Sequence, residues 1–166
     1  MSRALQADTL LAGLQEHDVA FVLIGGLALA AHGVVRGTKD VDIMPDPDRL
    51  NLERLAEALT VMRARVDIGD IDAAEPGIEP DATGLAQGGN WVLTTALGRL
   101  HVMQDVPGSR GYAHVRARAV AVDVPGVPAP VLCAGFDDLV AMKAAAGRDQ
   151  DLVDIDALRR ARGEAR

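Results

Sequence analysis

Aromatic residues are scarce in this 166-residue sequence, with one Trp, one Tyr and two Phe. The interior therefore has to be built from Ala, Val, Leu, Ile and Met, and a hydrophobic share of 49% beside 25% charged residues is a globular composition. A single cysteine, Cys133, excludes an internal disulfide and a cysteine-based zinc cluster within one chain. A reducing, cytoplasmic setting is expected. No stretch approaches the roughly 20 apolar residues that cross a bilayer, and the N-terminal MSRALQADTLL lacks the long apolar segment of a signal peptide. A soluble, unprocessed chain with no membrane partner is the expectation.

An excess of positive charge is missing too. The net charge is −7, so the mean field does not draw the protein to nucleic acid, and stable DNA binding is not expected. RNA is not excluded, because a local basic patch acts within a Debye length of about 8 Å. Asp and Glu concentrate between residues 67 and 81, whereas Arg99, Arg110, Arg116 and Arg118 follow later.

A chain of this length buries roughly two thirds of its unfolded surface, which points to one domain over 1–166. Leucines at 5, 10, 11 and 14 predict an amphipathic helix over 5–16. Ala20 to Ile24 is a short apolar run stopped by Gly25-Gly26 and suits a buried strand, and Leu27 to His32 follows as an Ala-rich helix ended by Gly33. Thr38 to Met44 reads as a second strand closed by Pro45. Asp46 as N-cap with Pro47 in the first turn opens a helix to about Ala64, its apolar stripe running through Leu50, Leu52, Leu55, Leu59 and Met62.

Residues 68–90 carry many Gly, Pro and acids and predict an irregular connection or flap. Trp91 to Thr95 and Arg99 to Met103 form two strands around Gly98, and Tyr112 to Arg118 a short helix. Ala119 to Val124 and Val131 to Cys133 are short strands, and Phe136 to Ala146 and Gln150 to Ala161 are helices around Gly147. The sum is an α+β domain with a small mixed β-sheet, helices mainly on one face and a helical tail from about residue 136.

The chemistry gathers in GGLALAAHGVVRGTKDVD, residues 25 to 42. Strand residues two apart point the same way, so Asp40 and Asp42 face one side while Val41 and Ile43 turn to the core. Two such carboxylates repel unless a positive charge lies between them, and a hard oxygen-seeking ion, Mg²⁺ with Mn²⁺ as a substitute, is the natural partner. Gly25 and Gly26 leave backbone N–H groups open to phosphate, and Arg36 and Thr38 add a cation and a hydroxyl. The glycines at 25, 26 and 33 do not make G-x-G-x-x-G, so a dinucleotide fold is not indicated. His32, before Gly33, reads as a packed or capping residue.

The pattern GG-x-A-x-A-A-H-G-x-x-R-x-T-x-D-x-D resembles the signature of the DNA polymerase β-like nucleotidyltransferase superfamily. Together with LVAMKAAAGRDQDLVDIDAL near the C-terminus it is similar to the AbiEii-type nucleotidyltransferase toxins and their minimal relatives, which carry a lysine and R-x-K-D-x-x-D in their last helices. Lys143, Arg148, Asp151 and Asp154 fit those positions, with Gln150 where lysine is usual. The resemblance implies a nucleotidyltransferase fold and transfer of an NMP from an NTP to an acceptor hydroxyl. Asp40 and Asp42 would hold the metal, and Gly25, Gly26, Arg36, Thr38, Lys143 and Arg148 would bind the triphosphate. It implies a tRNA 3′ end or a protein hydroxyl as acceptor ahead of a small molecule such as an aminoglycoside, and a possible cognate antitoxin.

The superfamily also supplies a third carboxylate from a later strand. In GRLHVMQ that slot holds His101, with Asp105 four residues on. Histidine deprotonates hydroxyls near neutral pH but favours softer metals than Mg²⁺. Two readings stay open: an enzyme in which His101 or Asp105 replaces the acid, and a non-catalytic nucleotide- or partner-binding module of the same fold.

Overall fold

The computed structural model describes residues 4–67, 69 and 80–164. Helix α1 (Ala7–Glu16) turns Leu10, Leu11 and Leu14 inward, the face its leucine spacing requires. Strand β1 (Phe21–Ile24) is buried at every position. Helix α2 (Gly25–Ala28) starts on the residue after that strand and runs into one 3₁₀ turn, Leu29–His32. Gly33 stops it in the left-handed conformation, at φ 82°.

Strand β2 (Asp40–Pro45) returns antiparallel to β1, pairing Leu23 with Ile43 and Ile24 with Asp42. Helix α3 (Arg49–Val61) starts later than its sequence suggested. The N-cap is Asp48, not Asp46: its carboxylate accepts the Leu50 N–H at 3.0 Å and the Asn51 N–H at 3.4 Å, whereas Asp46 accepts from Asp48 N–H at 3.0 Å. Pro47 thus precedes the helix rather than opening it. Leu50 drops out of the stripe and is 61% exposed, because the buried row passes through Leu52, Leu55, Leu59 and Met62.

A two-residue strand β3 (Arg65–Val66), too short to leave a periodic signal, pairs with β4 (Asn90–Thr95). Of the irregular connection expected over 68–90, residues 68 and 70–79 lie outside the described residues. Its later part contains a short helix α4 (Ala82–Ala86), capped by the Asp81 carboxylate on Gly84 N–H at 2.7 Å. Strands β4 and β5 (Gly98–Met103) form the expected hairpin. Helix α5 (Tyr112–Ala117), strands β6 (Val120–Val122) and β7 (Val131–Cys133), and helices α6 (Phe136–Ala146) and α7 (Asp149–Ala161) follow in the places the sequence indicated.

Among the described residues the sheet has the order β3-β4-β5-β2-β1-β7-β6. It is mixed, since β2 with β5 and β1 with β7 are parallel and the other pairs antiparallel. The two central pairings fix the site. Val41, Ile43, Leu100 and Val102 alternate onto one face and are fully buried in the main core with Leu10, Leu14, Leu55 and Leu59. The intervening residues of β2 and β5 share the opposite face, where Asp40 lies beside Arg99 and Asp42 beside His101.

Helices α6 and α7 pack on one another, and α7 also meets the 3₁₀ turn. His32 ties this tail to the sheet: its Nε2 lies 2.8 Å from the Ala134 carbonyl and its ring meets Phe136 edge-on at 6.2 Å. It is a packed residue, as its position before Gly33 suggested.

Candidate active site

One cleft of about 360 Å³ is lined by Gly25, Gly26, Arg36, Thr38, Asp40 and Asp42 from the N-terminal half, and by His101, Lys143 and Arg148 from the rest. Of the candidate residues of the sequence, Asp105 and Asp154 do not border it. Asp105 lies past the end of β5, exposed, with its backbone pinned by Asn90: its N–H donates to Asn90 Oδ1 at 3.0 Å and its carbonyl accepts from Asn90 Nδ2 at 2.7 Å. His101 is the residue opposite Asp42.

The glycines are where side chains would collide. Gly25 has φ 69°, and a Cβ there would run into the Asp42 carboxylate. A Cβ on Gly26 would meet Arg36 Nη2 at 3.1 Å and Thr38 Oγ1 at 3.2 Å. The backbone is thus drawn against a carboxylate, a guanidinium and a hydroxyl at once. Thr38 is itself oriented by donating its hydroxyl to the Asp40 carbonyl at 3.1 Å.

On the sheet, His101 Nδ1 lies 2.8 Å from Asp42 Oδ1, and His101 Nε2 lies 3.9 Å from Asp40 Oδ1. The hydrogen bond to Asp42 raises the imidazole pKa; burial opposes it, the charges of Asp42 and Asp40 add to it, and Arg99 counters them. Arg99 Nε stands 3.3 Å from Asp40 Oδ1 and its Nη2 3.3 Å from Asp67 Oδ2. Asp40 Oδ1, Arg99 Nε and His101 Nε2 are buried without hydrogen-bond geometry to any partner among the described residues.

The opposite wall holds the cations. Arg36 grips Asp154 with two parallel bonds, Nε to Oδ1 at 2.8 Å and Nη2 to Oδ2 at 2.9 Å. Lys143, only 6% exposed, reaches Asp154 at 2.7 Å and Asp151 at 3.3 Å. Arg148, the N-cap residue of α7, donates from Nε and Nη2 to Asp151 at 2.6 and 3.2 Å, and Gln150 donates to Asp154 at 2.9 Å. Burial alone would push the Asp154 carboxyl up, but the bonds from Arg36, Lys143 and Gln150 outweigh it and hold it at about 2. Asp151 is lowered in the same way, against burial, by Arg148 and Lys143. The two aspartates of R-x-x-D-x-x-D are therefore anchors, and the three cations exceed them by one positive charge.

The carboxylate pair fits a hard ion in one respect. Asp40 offers a buried oxygen to which no described residue donates a hydrogen bond, its nearest cation being Arg99 Nε at 3.3 Å, and two carboxylates suffice for Mg²⁺ when water and substrate phosphates complete its shell. Among the described residues no group of three or more His, Cys, Asp or Glu is arranged to hold a metal by itself. His101 joins Asp42 as a hydrogen-bonding partner.

Sequence reasoning missed Arg99 as a neighbour of Asp40, and Asp67 as the second partner of Arg99. Arg99 was legible only as one of a later basic cluster, although it lies two residues before His101 and shares its face. Two members of that cluster are paired: Arg99 is held by Asp40 and Asp67, and Arg118 by Asp137 and Asp138 at 3.1 and 3.3 Å.

The solution structure of the antibiotic-resistance factor ANT(2″)-Ia matches this chain with a TM-score of 0.56 at 14% identity, over 93% of this chain and 80% of that one. The chain has a nucleotidyltransferase fold. Two further structures are similar at lower scores: ANT(2″)-Ia in complex with adenylyl-2″-tobramycin (TM-score 0.45, 14% identity, 91% of this chain and 93% of that one) and a candidate nucleotidyltransferase of Thermotoga maritima (0.48, 15%, 95% and 90%). No protein-family model and no curated protein matches the sequence. At such identities the likeness concerns the fold, and the chemistry rests on the residues in the cleft.

Proposed function

We propose that this chain is a metal-dependent nucleotidyltransferase, moving an NMP from an NTP to an acceptor hydroxyl. The observation that supports this most is the convergence of Asp40 and Asp42, the Gly25-Gly26 backbone and the cations Arg36, Lys143 and Arg148 on one cleft. Asp40 and Asp42 are the residues to hold Mg²⁺, which when bound would draw charge from the triphosphate. Arg36, Thr38, Lys143 and Arg148 bind and orient the phosphates, their own positions fixed by Asp151 and Asp154.

His101 takes the acceptor's proton in this reading. Its Nδ1, bonded to Asp42, fixes the ring, and Nε2, which has no hydrogen-bond partner among the described residues, is the basic atom. The acceptor oxygen bonds to the α-phosphorus, the bond to the β-phosphate oxygen breaks, pyrophosphate leaves, and the proton passes to Nε2. The resemblance to AbiEii-type toxins puts a tRNA 3′ end or a protein hydroxyl before a small molecule as acceptor, and makes a cognate antitoxin a partner to test for.

The 2.8 Å contact between His101 and Asp42 also supports a second reading, a nucleotide- or partner-binding module without transfer activity, since it takes up one oxygen of the carboxylate pair. Incubation with each labelled NTP, Mg²⁺ or Mn²⁺, total tRNA and total protein separates the two. Label on an acceptor, lost in Asp40→Asn, supports the enzyme; nucleotide binding with no labelled product supports the module. Growth arrest on expression, relieved by the product of a neighbouring gene, tests the toxin role.

A further inference from the structure

Beside the polar cleft lies a second cavity of about 150 Å³, which shares Gly25, Asp42, Lys143, Arg148 and Asp151 with it. Its remaining walls are apolar: Met103, Val106 and Pro107 from the end of β5 and the loop beyond, and Leu139, Met142 and Ala146 from α6. The loop is held against that helix by Gly108, at φ 81°, where a Cβ would strike the Ala141 carbonyl and crowd Ala145. The Val106 carbonyl is occupied by Ser109 N–H at 3.0 Å.

Building on the triphosphate reading of the cleft, we propose that this cavity receives the nucleobase of the NTP and holds it without reading its hydrogen-bonding edge. Continuity with the cleft names the occupant: a ligand whose phosphates meet Arg36, Lys143 and Arg148 carries its flat base, apolar on both faces, a short way off, and this cavity opens on two of those cations, Lys143 and Arg148. The weak selectivity follows from the walls. All four polar side chains lie at the shared end and are engaged elsewhere, Asp42 by His101, Lys143 by Asp151 and Asp154, and Arg148 by Asp151. An apolar slot rewards contact area and cannot strongly reject an isostere. Purines gain over pyrimidines by size, and adenine and guanine are nearly equivalent.

Calorimetric titration with ATP, GTP, CTP, UTP and inorganic tripolyphosphate, each with Mg²⁺, tests this. ATP and GTP are expected to agree within about threefold, to exceed CTP and UTP by no more than about tenfold, and all four to bind more tightly than tripolyphosphate. Two variants probe the walls, one at half-buried Met103 against the core and one at exposed Ala146. Met103→Ala removes part of one wall, and Ala146→Leu, at an exposed helix position, narrows the slot. Both are expected to weaken every NTP several-fold, about fivefold, and to leave tripolyphosphate unchanged. Tripolyphosphate binding as tightly as the NTPs, a preference above about a hundredfold for one base, or variants that spare the NTPs would overturn the base subsite while leaving the phosphate cleft standing. If neither the nucleotides nor tripolyphosphate bind, the reading of the cleft fails and the subsite with it.

Discussion

His101 Nδ1 stands 2.8 Å from Asp42 Oδ1 across the parallel pairing of β5 with β2, so the histidine in the expected third-acid slot is locked to a neighbouring acid. A ring held by one nitrogen presents the other in a fixed direction, which is what proton transfer needs. His101→Ala is expected to lower transfer by about 10²–10⁴-fold while nucleotide affinity changes little. Separate measurement of binding and single-turnover rate checks this. A loss confined to binding would remove His101 from the proton-transfer step.

Asp154 lies at the junction of three donors, and its loss leaves, among the described residues, the nearly buried Lys143 with Asp151 as its one carboxylate partner and Arg36 with none. Asp154→Ala is expected to cost about 3–5 kcal/mol in urea unfolding, the range for breaking a buried ion pair on one side. The exposed pair Arg49–Glu53 is the control, and its removal should cost less than about 0.5 kcal/mol.

The same carboxylate sets an acid limit. Its folded pKa of about 2 lies below the ordinary value of 3.8, so its stabilisation is complete above the unfolded pKa and is lost as the pH falls from near 4 towards 2. Asp151, also lowered, acts in the same direction. Unfolding free energy measured between pH 5 and 2 should fall steeply, and the fall should be shallower in an Asp154→Asn background.

Gly25 and Gly37 both border the cleft but differ in what a methyl group would meet. At Gly25 the backbone is left-handed and a Cβ strikes Asp42; at Gly37 nothing lies within 4 Å. Gly25→Ala is therefore expected to lose stability, by about 1–3 kcal/mol, together with nucleotide binding, and Gly37→Ala to keep both. Thermal melts with and without ATP and Mg²⁺ compare them directly.

Much of this was legible in the chain because short-range periodicity carried it. The alternation Asp-Val-Asp-Ile put two carboxylates on one face and two apolar side chains on the other, and the structure keeps that division to the residue. The i, i+3 spacing of Asp151 and Asp154 put both on one helical face, where they meet Lys143. What the sequence hid depends on pairing between distant segments. The register that sets Arg99 against Asp40, and the ion pair that brings Asp67 to Arg99, have no local signature. The shift of the α3 cap from Asp46 to Asp48 is the smaller kind of miss: both acids flank the same proline, and only the backbone decides which carboxylate reaches the helix N–H groups.

The measurement that bears most directly on the reading of the cleft is transfer of label from an α-labelled NTP to an acceptor hydroxyl, for the intact chain and for Asp40→Asn. Transfer that requires Mg²⁺ or Mn²⁺, releases pyrophosphate and disappears in the variant is the expected result. Transfer that persists in Asp40→Asn, or proceeds unchanged after all divalent ions are chelated, would contradict it.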